Sequence, residues 1–172
     1  MPFITIDFEA SCLPRFGRSF PIEVGIANAH GWSRSWLVRP EPQWADWDWA
    51  EEAQALHGLT PARLMRDGLD VREVARLLRE AVGTSELIAD SYLDDGWSRT
   101  LFATAGEAAH LPVQCLADLR AFQEMDAGRL SRAVAEADRQ RVRRHRAEDD
   151  ARWLAHLLGE LELDRAVQAQ AA

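Results

Sequence analysis

The residues Phe3 to Phe8 read FITIDF, an apolar, β-branched run of strand length. Two further runs of the same kind follow at once, Pro21 to Ala29 and Trp32 to Val38, meeting at the turn His30-Gly31. A chain that starts this way builds a three-stranded antiparallel meander first. Helices must then cover it. After Pro40 and Pro42 the apolar spacing becomes helical, with Trp49, Ala53 and Leu56 in step and a stop at Gly58. Thr60-Pro61 supplies an N-cap and first helical residue, and Asp70 caps a stronger amphipathic segment through Val74, Leu77, Leu78 and Ala81 to Gly83. A short strand is expected over Glu86 to Ala89, a helix over Asp94 to Ala105, and a buried strand over Val113 to Leu116. Helices over Leu116 to Met125 and Arg129 to Arg139, parted by Gly128, precede a long amphipathic helix over Ala147 to Leu163. Strands first, then helices with two more strands among them, define a mixed α/β domain over residues 1–165, with a flexible Ala/Gln tail over 166–172.

Composition narrows the class. A chain of 172 residues, 47% hydrophobic and 28% charged, has material for one globular core. It has no apolar run of about 18 residues and no basic-then-apolar start, so a cytoplasmic protein is expected. Cys12 and Cys115 are too few for a disulfide framework or a thiolate zinc site. The formal charge of −8 tells against a protein that coats DNA nonspecifically, since such proteins present broad basic faces. All 20 basic residues are arginines, and five of them, Arg139, Arg141, Arg143, Arg144 and Arg146, crowd one short stretch. That stretch can guide a phosphate backbone, or it is a solvated face.

Three places carry candidate chemistry. Asp7 and Glu9 lie two apart on the first strand, so both side chains leave one face. Either they face water on an edge strand, or they converge on a cation, because bare charge in so apolar a strand is expensive to bury. Asp150 is in helical phase with Leu154, Leu157 and Leu161 and aims inward from the first turn of its helix, where the helix dipole alone is one reason for an acid. His145 precedes that helix and can reach the same pocket. Between these two, Asp94 sits on the inner face at a strand end, with Asp95 turned outward. Four carboxylates and a histidine are an inventory for two hard divalent ions, Mg²⁺ or Mn²⁺, which together assist in-line phosphoryl displacement.

The order DFEASC, then LIADSYLDDGW, then HRAEDDARWLAHLL resembles the DEDDh family of 3′→5′ exonucleases, the DnaQ-like and ribonuclease T-like group with the ribonuclease H-like fold. Pro21-Ile-Glu-Val-Gly-Ile26 and Leu56-His-Gly-Leu-Thr-Pro61 resemble its second strand and the segment after its third, so the likeness runs over residues 3–160. It implies a central five-stranded mixed sheet. It also implies two metal ions on Asp7, Glu9, Asp94 and Asp150, with His145 as general base. The implied substrate is a single-stranded or frayed DNA or RNA 3′ end, and the product a nucleoside 5′-monophosphate. Ala10 to Leu13 would line the terminal nucleotide's slot, with Ser11 in its wall and Leu13 against the base, and Arg144 would meet the backbone. Family members commonly carry His-Asn ahead of the middle aspartate. Here Ala89-Asp90 stands there, and Asp95 competes with Asp94 as ligand.

Two other functions fit these residues: a binding or scaffold protein that has lost turnover, and a phosphodiesterase of very short oligonucleotides. A homodimer is among the assemblies the amphipathic helices allow. Trp44, Trp47 and Trp49 read as core rather than base-stacking residues, and His57 as a helix cap.

Overall fold

The computed structural model describes residues 3–161, so the expected tail 166–172 and the last two positions of the expected final helix lie outside it. The meander forms as its sequence requires: β1 (Phe3–Ala10), β2 (Pro21–Ala27) and β3 (Ser33–Leu37) pair antiparallel. Asn28 closes the second hairpin, its Oδ1 accepting the N–H groups of His30 and Trp32 at 3.0 and 3.2 Å. Helices α1 (Glu51–His57), α2 (Pro61–Asp67) and α3 (Val71–Val82) follow, the last two capped by Thr60 and Asp70. Strand β4 (Glu86–Ala89) then runs parallel to β1, and α4 (Leu93–Thr104) leads to β5 (Val113–Cys115), parallel to β4. The sheet order is β3-β2-β1-β4-β5, which makes it five-stranded and mixed with β1 at its centre. The edge-strand reading of Asp7 and Glu9 is therefore overturned.

Two expected helices differ. Leu116 to Met125 breaks into a 3₁₀ turn and the short α5 (Arg120–Gln123). Gly128 lies inside α6 (Ala127–Gln140), because Asp126 caps that helix by accepting the Arg129 N–H at 2.9 Å. Helix α7 spans Ala147–Glu160.

Alternation along β1 divides the core. Ile4, Ile6, Phe8 and Ala10 enter one apolar cluster with α3 and α4. Phe3 and Ile88 enter another with α6 and α7, and the Thr5 hydroxyl donates to the Ala151 carbonyl of α7 at 2.7 Å. Asp7 and Glu9 continue this second face beyond the start of α7. Trp44, Trp47 and Trp49 gather around Phe20, with Trp44 stacked on it at 5.1 Å, so these indoles pack inward. Leu56 does not: it is 60% exposed and stands at a cleft. Among the described residues, no helix is long and apolar enough to cross a membrane.

Candidate active site

Gly25 sets the position of α7. It lies opposite Asp7 on β2, and a Cβ there would stand 2.1 Å from the Ala147 carbonyl carbon, so only glycine lets the helix start rest on the sheet. Glu23, opposite Glu9 and 1% exposed, fixes the approach. Its carboxylate accepts from Arg146 Nε and Nη2 at 2.9 and 2.6 Å and from the Ala147 N–H at 3.2 Å. On the other side of the helix, Glu148 accepts from the hydroxyls of Ser33 and Ser35 at 2.6 and 3.0 Å. The first turn of α7 is thus pinned over the carboxyl end of β1.

Asp150, one turn in, reaches back: its Oδ2 accepts the N–H groups of His145 and Arg146 at 2.7 and 3.2 Å. Its Oδ1 meets Arg141 Nη2 at 3.0 Å. His145 is the one non-glycine residue of positive φ among the described residues, at 59°, a conformation that costs roughly 1–3 kcal/mol and clusters at functional sites. The result is that ligand atoms of Glu9, His145 and Asp150 lie within 4.8 Å of one another.

The third wall comes from α4. Asp94 is 1% exposed and its Oδ1 accepts the Phe8 N–H at 3.0 Å, which brings it beside Asp7. Asp95 faces away, accepting from Val113 N at 3.0 Å and Arg99 Nε at 2.8 Å and meeting His110 Nε2 at 3.1 Å, so it anchors β5. Of the two competing acids, Asp94 is the one in the cleft. Asp90 stands there too, a residue that sequence reasoning saw only as a departure from a motif.

Burial first, and then one another's charge, holds the protons on these carboxyls. Asp7 is pushed well above its ordinary range by burial and then by Asp94, Glu9, Asp150 and Asp90. Glu9 is raised to about 8 by burial, with Asp150 and Glu23 adding to it. Asp94 is raised to about 8 by burial and by Asp90. Asp90 also rises, through burial and Asp150, with Arg141 opposing. Strongly shifted acids packed in a cleft mark a functional site. Their donors are hard oxygens, the set that suits Mg²⁺ or Mn²⁺.

The cleft measures about 410 Å³, within the roughly 300–1,000 Å³ of small-ligand pockets. Ala10, Leu13 and Arg144 line it with Leu56 and Leu93. Ser11 does not, and the expectation for it is corrected: it is fully buried, its hydroxyl accepting the Phe20 N–H at 3.2 Å. His57 caps as expected, its Nδ1 accepting the Leu59 N–H at 3.0 Å. Its ring also lines the cleft, and its buried Nε2 has no partner among the described residues. Burial lowers it to about 4, so the ring is neutral with its proton on Nε2. Glu23 was not singled out as a site residue, since only strand register brings it in, and Arg141 entered only as one of a basic stretch, since the loop path alone sets it on Asp150.

No family profile matches the chain, and no curated protein sequence matches it. Solved structures do. Escherichia coli exonuclease I in complex with a dT13 oligonucleotide superposes with a TM-score of 0.68 at 14% identity, over 98% of this chain and 42% of that one. Exonuclease I of Methylocaldum szegediense gives 0.63 at 17% identity, over 97% and 42%. Schizosaccharomyces pombe Pop2p, in its Mg²⁺- and Mn²⁺-bound form, gives 0.64 at 14% identity, over 94% and 82%. The chain therefore has the ribonuclease H-like fold of these exonucleases, and it spans less than half the length of exonuclease I.

Proposed function

We propose that this cleft is the active site of a DEDDh-type 3′→5′ exonuclease that shortens single-stranded or frayed DNA or RNA from its 3′ end and releases nucleoside 5′-monophosphates. The observation that carries the reading is convergence: acids from β1, α4 and α7, far apart in sequence, line one small cavity with His145 at its mouth. Asp7, Glu9, Asp94 and Asp150 would hold two divalent ions, which supply Lewis acidity toward the attacking water and the leaving 3′ oxygen.

The protein's own groups do the rest. Protonated against one another in the metal-free state, the carboxyls of Asp7, Glu9 and Asp94 release their protons to bind cations. An imidazole nitrogen of His145 accepts a proton from the water, its ring placed by a strained backbone and by the N–H bond to Asp150. Leu13 and Leu56 give the terminal base an apolar seat. The cavity's size favours one terminal nucleotide over a long duplex.

The test is digestion of 5′-labelled single-stranded DNA and RNA with Mg²⁺, Mn²⁺ or EDTA, beside Asp7→Ala and His145→Ala. A ladder shortening from the 3′ end with metal, lost in both variants, is the expected result. Wild-type rates in the variants would refute the assignment.

A further inference from the structure

Four arginines lie between α6 and α7, and each meets a different fate. Arg146 is locked into the buried Glu23 fork. Arg143 is exposed, and Arg144 is 67% exposed with its nearest acid, Asp138, at 4.0 Å. Arg141 is drawn in toward the cleft acids: its side chain is 14% exposed, and its Nη2 lies 3.0 Å from Asp150 Oδ1. Its guanidinium covers the Trp153 ring of α7 at 4.3 Å, yet its Nε is buried with no partner among the described residues. A buried N–H left unbonded costs about 1–3 kcal/mol, so this pose leaves a donor unused.

Charge says what the donor is for. The cleft holds five carboxylates, Asp7, Glu9, Asp90, Asp94 and Asp150, and two divalent ions would leave it still negative by one. A phosphodiester brings a further negative charge. The inner cation needed to receive it is already present, resting on Asp150.

We propose that Arg141 is a phosphate-binding residue of this cleft, which serves as the counter-ion of Asp150 until a divalent ion replaces it there. The inference rests on the metal-dependent reading of the cleft. With a divalent ion held by Asp150 the guanidinium would be displaced from that carboxylate, and its stack on Trp153 together with the irregular backbone of residues 141–146 would keep it at the cleft. Turning, its Nε and Nη2 become a fork for two phosphate oxygens, a geometry arginine has and lysine lacks.

The experiment uses Arg141→Met, which keeps apolar cover on Trp153, and Arg141→Lys, which keeps the charge without the fork. Mn²⁺ binding is measured by titration calorimetry without nucleotide. Binding of thymidine 5′-monophosphate, with thymidine as the phosphate-free control, is then measured in saturating Mn²⁺. In Arg141→Met, Mn²⁺ should bind about fivefold tighter, since roughly 1 kcal/mol of competing ion pair is gone. The monophosphate should bind about tenfold weaker and thymidine should be unchanged. Arg141→Lys should leave Mn²⁺ binding near wild type and weaken the monophosphate alone, which settles the matter should the Met variant fail to fold. Weaker Mn²⁺ binding in Arg141→Met, or unaltered monophosphate binding in either variant, overturns the role of Arg141 while wild-type Mn²⁺ binding stands. A wild-type protein that binds no Mn²⁺ overturns the metal reading itself.

Discussion

Replacing Asp94 by Asn should make the metal-free protein more stable. The carboxyl is 1% exposed and titrates near 8 in the fold, against an ordinary value of 3.8. Unfolding therefore releases a proton at every pH between these two values, and the free energy of that release favours the unfolded chain. The sign follows: stability present below about pH 4 is lost progressively as pH rises toward 8. At about 1.4 kcal/mol per unit, Asp94 alone costs roughly 4 kcal/mol at pH 7. Because protonating one acid eases its neighbours, about half of this, some 2 kcal/mol, should be recovered by the substitution. Asn keeps the carbonyl oxygen that accepts the Phe8 N–H, so no bond is lost. For a domain of this length the melting temperature should rise by about 4–8 °C in EDTA at pH 7. The gain should shrink toward pH 5, where less than half of the wild-type penalty remains. Calorimetric melting at the two pH values is the assay, with Mn²⁺ added in a second arm to stabilise wild type more than the variant. An Asn variant that melts at or below wild type in EDTA at pH 7, or a difference that is flat with pH, would refute the idea of mutually repelling acids awaiting a cation.

Three further outcomes follow from the same geometry. Arg146→Ala leaves Glu23 buried and unpaired and should cost about 3–5 kcal/mol in denaturant unfolding, with the added change Glu23→Gln restoring a good part. Gly25→Ala drives a methyl into the Ala147 carbonyl and should lower stability by more than about 3 kcal/mol while weakening Mn²⁺ binding, because Asp150 moves with α7. Leu56→Ser, at an exposed position, should change stability by less than about 0.5 kcal/mol yet raise KM for oligonucleotides, read from steady-state rates.

Some of the site was legible early because its signals are local. Asp150 announced itself by helical phase with Leu154 and Leu157, and the same phase turned Asp94 inward, but Asp95 still competed as ligand until Val113, Arg99 and His110 were seen to hold it. Other features were not, because they depend on partners remote in sequence. Glu23 looks like any strand acid until register sets it beside Glu9, and Ser11 looks like a slot residue until Phe20 claims its hydroxyl. Leu56 kept helical step with Trp49, but α1 begins only at Glu51, so the two do not share a packed face.

What the sequence by itself determined is the order and type of elements, since strand alternation, caps and helical phase act over a few residues. Only the tertiary structure decided which strand became central, that the acids of β1, α4 and α7 share one cleft, and that Arg141 lies on Asp150. Those outcomes are set by sheet pairing, helix docking and loop path, as in the pairing of β1 with β4, the bond of Phe8 to Asp94 and the contacts of Thr5 with Ala151 and Glu23 with Arg146, and no local pattern encodes them.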